Sequence, residues 1–334
     1  MRSKRMIVLR AGLIMAGLFL GLLSTDTVYA AVKEVEPNNT AVKAQSIKLG
    51  TEYTGQVEDS DSGDDEDYYK IAVKEGNFYK ISVYEMKDLD DYGWGTMIVS
   101  LCKDSNTEDR NTVSNGNYNK TSKLFRAAYT GSYYLKFWNT SNTKYSFKVE
   151  KYNPKGRKIK DSDSNIYKIT SNFSIELSKI ASKRKTDFYI SEKEYFTTID
   201  NMEVLDSYNT EFTVSSIGAY AFKGSSIKSI SIPEEVKKIG AGAFQNCKKL
   251  GTESYLMGVV IRGKKVVISK NAFKGCSRLG SVRVLKSASI KSIGKNAFKG
   301  TKKGIRLEVP GVKKYKKLFK KAGLKKPKYS KAYM

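Results

Sequence analysis

The chain has 334 residues, with 60 lysines and arginines against 34 aspartates and glutamates, a formal net charge of +26, three cysteines and no histidine. Without histidine there is no Ser-His or Cys-His nucleophile pair, none of the usual zinc ligands and not the commonest general base, which leaves only carboxylate chemistry. No pair of carboxylates is spaced in a way that singles out a glycosidase acid and base, and an odd cysteine count is not the design of a disulfide scaffold.

In chain order, Arg2, Lys4, Arg5 and Arg10 precede the apolar run Ala11 to Leu23, after which Val28-Tyr29-Ala30 offers small residues at the two positions a signal peptidase reads. The run is shorter than the roughly 20 residues a membrane helix needs. Residues 1–30 are therefore expected to be a secretory signal peptide cleaved after Ala30, leaving a mature chain with no membrane span. No cysteine follows the run for lipid attachment, and the C-terminus carries neither an apolar tail nor a sorting motif. The expected location is extracellular, secreted or loosely attached to a bacterial cell surface.

Composition then divides the chain near Asn153-Pro154-Lys155-Gly156: residues 32–152 hold 16 basic and 19 acidic side chains, net −3, whereas 153–334 hold 40 and 14, net +26. In the first part apolar and polar residues alternate in short runs, Tyr68 to Val73, Phe78 to Val83 and Tyr133 to Phe137, between Gly, Asn and Asp turns. This pattern predicts a β-sandwich or jelly roll over 31–152. Glu58, Asp59, Asp61, Asp64, Asp65, Glu66 and Asp67 crowd one stretch, a composition that fits a calcium ion, which takes six to eight oxygens, although an acidic loop is more often just solvated. Among the aromatics, Tyr129, Tyr133, Tyr134 and Trp138 are expected mostly in the core, and Tyr92 and Trp94 are the contact candidates.

Three segments of this part, Glu34-Val35-Glu36-Pro37-Asn38-Asn39-Thr40, Gly63 to Tyr69, and Gly131-Ser132-Tyr133-Tyr134 with Tyr145-Ser146-Phe147, together resemble the bacterial pre-peptidase C-terminal (PPC) domain. The related collagen-binding domains of collagenases hold calcium through an acidic N-terminal segment and an Asp-x-x-Asp turn. Carried over residue by residue, the resemblance implies Glu34, Glu36, Asn38, Asp64 and Asp67 as calcium ligands.

Residues 153–158 read as a linker and 159–216 as a β-rich segment leading into an array. From 217 to 310 one phrase recurs four times: Ile217-Gly218-Ala219-Tyr220-Ala221-Phe222, Ile239 to Phe244, Ile268-Ser269-Lys270-Asn271-Ala272-Phe273 and Ile293 to Phe298. The Phe positions step by 22, 29 and 25 residues, a repeat period that marks a solenoid. Between them Ile227-x-x-Ile230-x-Ile232, Leu279-x-x-Val282-x-Val284 and Ile305-x-Leu307-x-Val309 predict short strands. The Ile, Ala and Phe positions are expected in the core, and the Gly of Ile-Gly to permit a strained turn. Cys247 and Cys276 occupy equivalent places and are expected to stack as small apolar residues rather than bridge, with Cys102 free and buried. Tyr315, Leu318, Phe319 and Ala322 fall at helical spacing in a basic C-terminal segment, 311–334, expected to cap the array.

The phrase, with Phe244-Gln-Asn-Cys247-x-x-Leu250 and Phe273-Lys-Gly-Cys276-x-x-Leu279, resembles the BspA-like leucine-rich repeats of bacterial surface proteins over about residues 157 to 326, departing at the insertion Glu253 to Gly258. The fold class expected is thus mainly β, an N-terminal β-sandwich followed by a short leucine-rich-repeat solenoid with a C-terminal capping helix. The functional expectation is a secreted or cell-surface, non-enzymatic binding or adhesion protein for extracellular protein or glycan. Its basic half is expected to attract anionic envelope polymers; nucleic acid is not expected, given export. The alternatives are a targeting module for an extracellular hydrolase acting on collagen or insoluble polysaccharide and, more remotely, a carboxylate-based hydrolase.

Overall fold

The computed structural model describes residues 31–58, 66–88, 97–104, 110–115, 120–138, 142–207, 210–251 and 258–332. The expected signal peptide lies outside these residues, as do Tyr92, Trp94 and all of the insertion except Gly258. Among the described residues no helix is long and apolar enough to cross a membrane.

Alternation in the first part becomes two sheets. One runs in the order Val32–Lys33, Glu52–Val57, Thr143–Tyr152, Phe78–Asp88, Thr121–Arg126, Met202–Val204, Thr198–Ile199; the other Gln45–Ser46, Glu66–Val73, Gly131–Trp138, Ile98–Cys102, Arg110–Asn115. Every second residue of these strands turns inward, and Tyr69, Ile71, Tyr79, Ile81, Val99, Leu135, Phe137 and Phe147 form a single apolar cluster between them. Three buried or nearly buried tyrosines also satisfy turns, because the hydroxyls of Tyr53, Tyr79 and Tyr133 accept the backbone N–H five residues upstream, from Lys48, Lys74 and Ala128, at 2.8–2.9 Å.

The first sheet borrows its last two strands from the C-terminal half. Glu203 and Val204 pair in parallel with Lys123 and Leu124, Phe78 stacks on Phe212 with ring centroids 6.0 Å apart, and Phe78 and Leu124 belong to the core of the repeats. The Arg126 guanidinium donates to the carbonyls of Asn172 and Glu211 at 2.9 and 2.8 Å and lies over the rings of Phe173 and Phe212. Besides the turn at 153–157, then, a shared sheet and a shared core join the two halves.

Beyond this junction each coil contributes one short strand to each of two sheets. One sheet runs Lys158–Lys160, Ile166–Ser171, Ser174–Lys179, Glu211–Ile217, Lys238–Ile239, Val266–Ile268, Ile290–Ile293, its first two pairs antiparallel and the rest of this order parallel; the other runs Ile230–Ile232, Val259–Ile261, Ser281–Val284, Arg306–Val309, Lys328–Lys331, all parallel. At the corner between them Phe222, Phe244, Phe273 and Phe298, all fully buried, stack with centroids 4.7, 4.9 and 4.9 Å apart.

The backbone corrects one expectation about this corner. The left-handed residue is not the Gly of Ile-Gly but the one two places later: Tyr220, Gly242, Asn271 and Asn296 have φ of 58–61°. Asparagine and glycine suit that conformation and a bulky ring does not. The Gly of Ile-Gly answers a different need: a Cβ on Gly240 would lie 2.6 Å from Ala219 N, and one on Gly294 2.3 Å from Lys270 N. Neighbouring coils simply approach too closely there for a side chain.

Cys247 and Cys276 are free and buried, and each thiol donates to the Phe carbonyl of the preceding coil at 3.0 Å. In the flanking units Ser225 and Thr301 stand in the same place, Thr301 donating to Phe298 O, so the position takes a small side chain with one polar hydrogen. Cys102 is likewise buried and forms no disulfide among the described residues.

The cap differs in detail from its expected form. Its helix spans only Val312–Phe319, burying Tyr315 and Phe319 one turn apart. Ala322 lies beyond it, accepting from Phe298 N at 2.8 Å as Lys321 O accepts from Asn296 N at 3.0 Å. The segment after the helix therefore continues the corner as one more rung.

Two outcomes follow for stability. Phe273→Ala, which removes a ring stacked on both sides, is expected to lower the unfolding free energy by about 3–5 kcal/mol, read as a fall in urea midpoint; an unchanged midpoint would mean the spine does not hold the coils. At the left-handed position Asn271→Gly is expected to be near neutral, whereas Asn271→Val should cost about 1–2 kcal/mol, and equal effects of the two would contradict the backbone assignment.

Candidate functional site

The acidic N-terminal segment is fixed onto the edge of the first sheet. Val32 and Lys33 pair with Tyr53 and Thr54, Glu34 N donates to Thr54 O at 2.9 Å, and Glu34 Oε1 accepts from Gln56 N at 2.8 Å. Asn38 is fully buried; its carbonyl accepts from Tyr68 N at 3.0 Å and its own N–H donates to Glu36 Oε2 at 2.9 Å. These bonds bring the segment over Asp67, itself fully buried on the Glu66–Val73 strand.

Carboxylate oxygens of Glu34, Glu36 and Asp67 all lie within 4.8 Å of one another. The end of the Asn38 amide sits 2.7 Å from Asp67 Oδ1 and 3.1 Å from both Glu36 carboxylate oxygens. In one orientation its NH2 donates to all three; in the other its oxygen completes an all-acceptor cluster that only a cation would hold together. Beneath lie two tyrosines. Tyr145 donates to Asp67 Oδ2 at 2.5 Å, its hydroxyl is 2.8 Å from that of Tyr69, and the two stand 3.3 and 3.4 Å from Glu34 Oε2. Burial, followed by the charges around them, pushes both phenols far up. Burial, with the Glu36 charge added to it, raises Glu34 to about 6.

Gly55 faces Tyr145 across the sheet, and a Cβ there would come within 2.2 Å of the Tyr145 hydroxyl and 2.3 Å of Glu34 Oε2. A cleft of about 440 Å³ opens at this spot, lined by Lys33, Glu34, Gly55, Lys144 and Tyr145 among others.

Of the residues singled out from sequence, Glu34, Glu36, Asn38 and Asp67 converge, and Asp64 lies outside the described residues with Asp59, Asp61 and Asp65. Glu66 turns away from the cluster, paired with Lys136 and accepting from the Tyr68 hydroxyl at 2.9 Å, and Glu58 is exposed. Tyr133 and Tyr134 are buried, Tyr129 packs on Tyr133 and Trp138 is half-buried, so they form no exposed platform. Sequence reasoning missed Tyr69, Tyr145 and Gly55. Alternation marks both tyrosines as core whether or not the hydroxyl has a task, and only the proximity of Tyr69 to Asp67 in sequence hinted at more.

No curated protein matches the sequence. Among solved structures, a leucine-rich repeat protein from Bacteroides capillosus ATCC 29799 is similar at 17% identity over 52% of this chain and 99% of that one, with a TM-score of 0.33. A leucine-rich repeat protein from Bacteroides ovatus ATCC 8483 is similar at 26% identity over 42% and 34% of the two chains, TM-score 0.29. The pre-peptidase C-terminal domain of a collagenase from Bacillus anthracis is similar at 25% identity over 32% and 94%, TM-score 0.24.

A family model matches as well, over 159–251 and 252–323 and in six copies, where the recurring phrase by itself yields four units. The matched stretch takes in the segment before Ile217, whose Ser174–Lys179 strand runs parallel to Glu211–Ile217 in the same sheet as the coils. From residue 159 to 323 the chain thus matches the BspA type leucine rich repeat region family.

Proposed function

We propose that this is a secreted or surface-held binding protein without catalysis of its own: a PPC-like β-sandwich that carries calcium, and a leucine-rich repeat array that recognises extracellular protein or glycan and is drawn to anionic envelope polymers. The observation that carries the binding role is the build of the array. Its Ile, Ala and Phe positions are spent on the core, while the exposed positions vary from coil to coil and stand side by side in register, as a recognition surface requires. Binding of purified protein to immobilised matrix proteins or to intact bacterial envelopes tests it; retention on neither, at any salt concentration, would overturn it.

The donor set of the N-terminal cluster fits calcium. It consists of hard oxygens from Glu34, Glu36, Asp67 and the Asn38 amide, with Asp64 as a further proposed ligand, and contains no nitrogen or sulfur donor. Bound there, the ion neutralises the crowded carboxylates and ties the N-terminal segment to the Glu66–Val73 strand, a structural role.

Calcium at 100 times its dissociation constant is expected to stabilise the protein against chelator by about 2.7 kcal/mol. Asp67→Asn and Glu36→Gln should abolish that gain, as should Gly55→Ala by displacing Glu34; a shift that survives Asp67→Asn places the ion elsewhere. Without calcium, Glu34 titrates in the fold near 6, above its ordinary 4.5, so its ionisation opposes folding above that pH. In chelator the melting temperature should therefore rise as pH falls from 7 towards 5, and Glu34→Gln should flatten that rise; the same slope in wild type and variant would contradict it.

A further inference from the structure

From 258 to 332 the chain carries 24 lysines and arginines and one acid, Glu308. On the flat side formed by the second sheet one of these charges is paired and another is hydrogen-bonded. The outward column there is Ser231, Val260, Arg283 and Glu308, in register across four strands; Arg283 pairs with Glu308 at 2.7 Å, and Arg262 donates to the Ser231 hydroxyl at 2.9 Å.

The Phe corner is different. Its backbone ladder stacks Ala241, Lys270, Lys295 and Lys321 in one column, their carbonyls accepting in turn from Tyr220, Gly242, Asn271 and Asn296 of the coil before. A second column holds Gln245, Lys274 and Lys299, accepting from Gly224, Asn246 and Gly275. The two columns flank the stacked rings, whose spacing of 4.7–4.9 Å sets the rise from one lysine to the next. Lys270, Lys295, Lys299 and Lys321 are exposed and Lys274 is half-buried. Among the described residues no ion pair involves any of these five, so within them the ridge is a double row of like charges.

We infer that this corner ridge is the docking face for a linear phosphate polymer lying along the array axis, which rests on the reading of the basic half as polyanion-binding and gives it a face and a ligand class. Charge complementarity selects a polyanion. The short rise selects one with a charge on every unit, since a polymer charged only on alternate sugars would leave every second lysine unanswered. The ridge is built of ammonium groups and no guanidinium, and lysine binds phosphate as a point charge, which suits a chain of phosphates held by charge rather than by a planar bidentate fork.

The test uses purified protein, fluorescently labelled inorganic polyphosphate and a series of salt concentrations. Wild type is compared with Lys270→Gln/Lys274→Gln/Lys295→Gln/Lys299→Gln and with a variant that loses the same charge elsewhere on the array, Lys264→Gln/Lys286→Gln/Lys302→Gln/Lys303→Gln. The ridge variant is expected to bind about tenfold more weakly or worse, with the slope of log affinity against log salt reduced by about 0.7 for each lysine removed, and the second variant to stay close to wild type. Equal loss in both variants, or loss in the second alone, would overturn the assignment of the face. Polyuronate of equal length bound as tightly as polyphosphate would overturn the ligand class. Wild type that binds neither polymer would overturn the polyanion reading beneath both.

Discussion

Everything in the C-terminal half depends on one distance, the 4.7–4.9 Å between the stacked rings of Phe222, Phe244, Phe273 and Phe298. That spacing is also the distance between hydrogen-bonded strands, so a ring plugging each coil and a backbone ladder closing each corner can be satisfied by the same packing. The glycines, the small polar residue after each Phe and the left-handed Asn or Gly are consequences of it. At Gly240 and Gly294 the neighbouring backbone occupies the place of a side chain, and at Cys247 and Cys276 only a small group fits beneath the preceding Phe carbonyl. The same constraint frees the exposed positions to vary, since nothing in the ladder requires them.

Much of this array was legible because its phrase repeats: Ile, Ala and Phe recur at fixed offsets and are buried as the pattern implies, except for the half-buried Ile293. The left-handed residue was misplaced because Tyr220 stands where the other units have Gly or Asn, hiding the shared conformation, while the Gly of Ile-Gly, present in three of the four units, drew attention for the wrong reason. The coils before Ile217 lack the Ala-Phe corner, and their membership shows only in parallel pairing and in the family match. In the N-terminal half the alternation announced paired sheets, yet it could not distinguish Tyr145, which reaches Asp67, from Phe147 two residues later, which fills the core. The gathering of Glu34, Glu36, Asn38 and Asp67 had no signal in spacing and was anticipated only through resemblance.

The junction between the halves was not legible at all. Thr198–Ile199 and Met202–Val204 are too short to show any period, yet they extend a sheet that begins at Val32. Arg126 reads as an ordinary surface cation on a strand, but it closes two backbone carbonyls of the other half and lies against two of its rings. A composition boundary at 153 is thus a boundary of charge and not of packing, since the core of the repeats takes in Phe78 and Leu124 from the first part.

That shared sheet has a consequence for how the molecule stands on a surface. Net −3 on one side of residue 153 and +26 on the other make the protein a strong electric dipole, and a joint made of strands and shared core fixes the dipole in the molecular frame instead of leaving it to swing on a tether. The field of such a body favours orientations with the coils towards any anionic surface it meets.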